Sequence, residues 1–192
     1  MEENTVKRKV ETSDIVVPRV LAWLFDWGIG GILTSLPAII IYSQFAKDSN
    51  LFTSLYDFRT IGFSTAATIA LGSLCISIGI FYYVIIPWKI YPAQTVGKKL
   101  LKLKIEKSNQ QELTFKDYFL RQFIFIILIQ GSATIVSRYF TQIFTLMSHF
   151  YIDGYVATAG FLITTFSATL AFGTPSKLAL HDRVLKTLVT KI

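Results

Sequence analysis

The stretch Val17 to Ile41, VPRVLAWLFDWGIGGILTSLPAIII, decides the fold, because it has the composition of a membrane span and yet carries a carboxylate. It is long enough to cross about 30 Å of hydrocarbon, which takes roughly 20 helical residues. Asp26 stands about two turns inside, where an ionised carboxylate costs about 3 kcal/mol unless it meets a cation, finds water or takes up a proton. Arg19 precedes it by seven residues, and seven steps of about 100° return a helix nearly to the same face.

The rest of the chain has the same character. Of 192 residues, 52% are hydrophobic and only 16% charged, and the mean hydropathy is +0.50, so the expectation is a membrane protein. The size allows one compact bundle and leaves no room for a separate catalytic domain. Four segments are long and apolar enough to span: about 19–41, 62–86, 119–140 and 155–173. The expected fold class is thus an all-α membrane protein of four transmembrane helices, with a tail over 1–17 and a transmembrane domain over 18–192. The N-terminus, MEENTVKRKVETSDIVV, lacks the immediate apolar core of a cleavable signal, so the first span is expected to be retained.

Orientation follows from the Lys and Arg residues, which favour the cytoplasmic side of short loops. With both termini inside, sixteen of the nineteen basic residues are cytoplasmic; the opposite orientation leaves three there. The connection at 42–61, with Lys47, Asp48, Asp57 and Arg59 near balance, reads as a solvated outer loop.

The cytoplasmic loop, 88–118, is patterned. In LKLKIEK apolar and charged residues alternate, the period of a half-buried strand; SNQQ offers a turn and ELTF a return strand, so a hairpin is expected on the membrane surface. KTLVTKI could add a third strand, within a cytoplasmic C-terminal strand expected over 180–192. The lysines between 98 and 107 are expected to face anionic lipid, which together with the positive-inside bias accounts for the net charge of +7 without nucleic acid.

Other chemistry is thinly supported. Gly97-Lys98-Lys99 resembles the end of a phosphate loop, but that element needs Gly at 92 and Ser or Thr at 99, where Pro and Lys stand. Cys75 lies alone in an apolar run, and His149 and His181 lack metal-ligand spacing, so neither a metal nor a cofactor is expected. Nor is an enzyme: His181 and Asp182 are adjacent, which points their side chains apart. As a partner for Asp26, Arg121 is the first choice, since it opens a neighbouring span on the same side.

Three elements then acquire a common meaning: Arg19 and Asp26 in PRVLAWLFD, the block QTVGKKLLKLKI after the second span, and the terminal LHDRVLKTLVTKI. In this order around membrane spans they resemble the RDD family of bacterial integral membrane proteins, named for an Arg and two Asp residues. The resemblance implies that Arg19 is the family Arg, Asp26 the first Asp and Asp182 the second. It departs at Lys186, which precedes Thr187 where the family usually has a Gly suited to a tight turn. Some members have been linked to sodium/proton exchange, and others occur beside diverse partners.

Two functions therefore stand as expectations. One is cation/proton exchange or other small-solute transport on Asp26, for which four spans would need a homo-oligomer. The other is a non-catalytic membrane subunit, scaffold or assembly or immunity partner, in which Arg19, Asp26, Arg121 and Asp182 form a structural charge network.

Overall fold

A computed structural model describes residues 15–46, 51–131 and 134–192. The tail to residue 14 and the outer-loop residues Lys47 and Asp48 lie outside the described residues, as do positions 132 and 133 of the third expected span.

Helix α1 (Val16–Phe45) is a long apolar helix that accepts Pro18 in its first turn, where no backbone bond is lost. Its buried residues include Ala22, Asp26, Gly30, Thr34, Ala38 and Tyr42, a stripe of small and polar side chains at four-residue intervals. Large side chains such as Trp23, Leu24, Ile32 and Ile39 face outward. That inversion suits a bilayer, where Leu gains nothing from hiding and small residues let backbones approach. After a short turn, α2 (Asp57–Thr60), the second long apolar helix is α3 (Thr65–Ile80), continuing as a π-helix through Phe81–Ile90.

The third expected span, 119–140, is not one helix. Helix α5 (Phe115–Tyr118, then π-helical Phe119–Ile129) stops at Gln130, and α6 (Ile135–Ser148) starts afresh. Gln130, Gly131 and Thr134 explain the break. Thr134 caps α6 by accepting from the Ser137 N–H at 3.3 Å, and the carbonyl freed at Gln130 accepts from the Thr164 hydroxyl of the next helix. Helix α7 (Asp153–Gly173) follows. Three helices, α1, Thr65–Ile90 and α7, are each long and apolar enough to cross a membrane.

One end of the bundle carries an ordered cap. Helix α4 (Val96–Leu100) leads to β1 (Leu103–Lys107); α8 (Leu180–Val184) leads to β2 (Thr187–Lys191). The strands pair antiparallel, Leu103 with Lys191 and Lys107 with Thr187. The alternation in LKLKIEK places Leu103 and Ile105 inward, and Leu103 packs with Val189 against Ala22 of α1. The expected hairpin partner, ELTF, is not a strand: the Asp117 carboxylate accepts from the Thr114 N–H at 2.7 Å and starts α5 there. The partner comes from the C-terminus instead, and only 187–191 of the segment 180–192 is strand. The opposite end holds the 51–64 turns and the α6–α7 junction, tied by the Tyr56 hydroxyl to Asp153 at 2.9 Å.

Candidate functional site: two buried carboxylates under the cap

The sequence YPAQTVGKKL returns the chain against α1. Thr95 caps the short helix α4, so the first-turn backbone points at the wall of α1 beside Asp26. Gly97 permits the contact: a Cβ there would overlap the Ala22 carbonyl oxygen and meet Asp26 Cγ at 3.0 Å. The result is a carboxylate enclosed by donors. Oδ1 accepts from the Gly97 N–H at 2.8 Å and the Tyr82 hydroxyl at 3.2 Å; Oδ2 accepts from the Thr95 hydroxyl, with Lys98 Nζ 3.9 Å away. The Tyr83 hydroxyl donates to the Asp26 backbone carbonyl at 2.9 Å, in the space left by the missing side chain of Gly30.

Asp26 and Arg121 are therefore not partners. Arg121, which is 1% exposed, gives Nη2 to Asp182 Oδ1 at 2.5 Å and Nε to the Thr187 hydroxyl at 3.1 Å. That hydroxyl donates in turn to Asp182 Oδ1 at 3.2 Å. Arg19 takes the other oxygen, Asp182 Oδ2, and gives Nη1 to the Lys177 carbonyl at 3.0 Å. Asp182 outcompetes Asp26 for both guanidiniums because α8 brings it between α1 and α5, while α4 has filled the space around Asp26.

The electrostatics follow from this enclosure. Burial pushes the Lys98 ammonium down to about 8, against the pull of Asp26. Burial pushes His181 down to about 3, helped by Arg121 and Arg19. For Asp182 burial acts upward, but Arg121 and Arg19 overwhelm it and hold the carboxyl far below the usual range. His181 Nδ1 stands 3.1 Å from Gln130 Oε1, which joins this cluster to the break between α5 and α6.

All four charges singled out in the sequence are thus at the cap end, in two groups rather than one. Tyr82, Tyr83, Thr95, Gly97, Lys98, His181 and Thr187 belong to the site as well. Lys98, read as an outward lysine, turns inward; Thr95, a capping residue directly before a Val-Gly pair, was the signal for that return of the chain.

This is the anatomy of a multi-pass integral membrane protein whose N-terminal helix is fastened to its loop and C-terminus by buried Arg and Asp residues. The RDD family model matches residues 15–186, and the chain belongs to the RDD family. No curated protein and no solved structure matches it.

Proposed function

We propose that the protein is a non-catalytic subunit or scaffold of the bacterial cell membrane, in which Arg19, Asp26, Arg121 and Asp182 lock the cap to the bundle. One observation carries this reading: each oxygen of both carboxylates is taken by a donor of the chain itself. That arrangement, with Lys98 beside Asp26 and both arginines on Asp182, secures geometry and already gives each carboxylate a cation of the chain itself. Its spans number four, with 115–148 as a broken crossing, because the start of α1 and the C-terminal strand share one end. The basic-residue count makes that end cytoplasmic. Lysines of the cap that remain exposed, such as Lys99 and Lys102, meet anionic lipid, and the lipid-facing helices dock a second copy or another membrane protein.

A second reading, cation/proton exchange or small-solute transport, is favoured by the break at Gln130 within the bundle, since transporters place binding sites at discontinuous helices. Reconstitution separates the two. The subunit reading expects no pH- or sodium-dependent flux in proteoliposomes, a lower melting temperature for Asp26→Asn, and a co-purifying membrane protein. Flux by the wild type that a folded Asp26→Asn variant abolishes would overturn it in favour of exchange.

A further inference from the structure

At the end opposite the cap, the 51–64 turns, α6 and α7 enclose a cleft of about 360 Å³ lined among others by Ser54, Tyr56, Ser137, Arg138, Gln142 and Asp153. Among the described residues it is lined by one cation and one carboxylate, and neither has a partner of opposite charge. Arg138 gives Nη2 to the Thr53 carbonyl at 3.3 Å and has no acidic partner among the described residues. Among the described residues Asp153 accepts from two neutral hydroxyls, Tyr56 at 2.9 Å and Thr145 at 3.2 Å. Gln142, 4% exposed, uses its amide oxygen on the Leu55 N–H at 3.0 Å, and its NH2 has no protein acceptor among the described residues.

We propose that this cleft binds a small zwitterion, a primary ammonium joined by a few bonds to a carboxylate or phosphate. The anionic group lies against Arg138 and the Gln142 NH2, and the ammonium against Asp153 beside the Tyr56 hydroxyl. Arg138 is exposed and Asp153 half-buried, and a ligand of one charge would answer only one of them, which favours a ligand that brings both. Burial holds the Tyr56 hydroxyl up at about 12, so it remains a neutral donor to Asp153 throughout the physiological range. Two sources supply this chemistry, a free α-amino acid and the headgroup of an ethanolamine phospholipid.

The test uses the full chain. In detergent, melting is followed with L-alanine and with the single-charge controls propionate and ethylamine; in parallel, lipid retention is read by native mass spectrometry after reconstitution in mixed phosphatidylethanolamine and phosphatidylglycerol. Saturable stabilisation by alanine assigns a soluble ligand, and selective retention of phosphatidylethanolamine assigns a lipid. In either case Arg138→Gln and Asp153→Asn should each weaken binding about tenfold or more, the loss of one charge contact. Arg138→Lys, which keeps the charge, should restore part of it and guards against a folding defect. The proposal is overturned if neither source binds, if a single-charge control binds as well, or if folded variants bind as the wild type does.

Discussion

Exchanging the expected partner of Arg121 for the observed one makes a quantitative prediction. Asp182→Asn leaves Arg19 and Arg121 without a counter-charge in a site where Asp182 is fully buried and Arg121 nearly so, and breaking a buried pair from one side costs about 3–5 kcal/mol. Arg121→Met should cost less, about 2–3 kcal/mol, because Arg19 still answers Asp182 and the loss is two hydrogen bonds, one of them to the carboxylate. The double variant removes both ends of one interaction, so its loss should fall short of the sum by about 1–3 kcal/mol. For Asp26→Asn with Arg121→Met no contact is shared, and the losses should add within about 0.5 kcal/mol. Equilibrium unfolding in mixed detergent micelles measures both cycles. Equal coupling in the two, or additive losses for Asp182 with Arg121, would refute the division of the charges into two groups.

Three further outcomes follow. Gly97→Ala should cost about 3 kcal/mol or more in the same assay, since its Cβ meets the rigid backbone of Ala22 and displaces the N–H bonded to Asp26; a loss under about 1 kcal/mol would show that α4 can simply shift. Lys186→Gly should raise stability by about 1 kcal/mol, because Lys186 holds φ at 52°, a left-handed conformation that a Cβ disfavours; no gain would mean its side chain repays the strain. His181, held at about 3 when folded against 6.5 when unfolded, contributes stability that is full above pH 6.5 and is lost as pH falls towards 3, by at most about 1.4 kcal/mol per unit; His181→Gln should flatten that acid limb of a melting-temperature profile, and an unchanged limb would exclude His181 as its source.

The sequence was most legible where one residue type does one job. Arg19, Asp26, Arg121 and Asp182 stand out because charges are rare beside spans, and the inward Leu103 and Ile105 follow directly from alternation. Pairing was less legible, since it depends on which segment arrives. ELTF has strand character, but Thr114 and Asp117 close a capping box that commits it to a helix, so β1 waits for a strand about 80 residues further on. The break at Gln130 was written in residues that cap as readily as they span: Thr134 takes the role of an N-cap only once the Thr164 hydroxyl stands ready for the Gln130 carbonyl. Lys186 reverses the pattern. Losing the family's usual Gly there removes the ideal residue and not the turn, because β2 pairing and the Ser108 N–H bonded to the Lys186 carbonyl at 2.8 Å hold the backbone in place.

The two carboxylates meet their burial in different ways, one with groups nearer in the chain and the other across most of its length. Asp26 is answered by groups from 82 to 98, which are on hand as soon as the second long helix and the loop after it exist. Asp182 is the answer to Arg19 and Arg121, and it comes 163 residues after the first of them. Among the described residues, Asp182 is the carboxylate that pairs with either arginine, so both depend on the C-terminal segment for their counter-charge. The same segment carries β2, which joins β1 over Ala22. A single Asp at 182 thus answers two arginines at once and ties the C-terminal strand of the cap to α1 and α5, whereas Asp26 is held by groups between 82 and 98 and fixes α1 to α4.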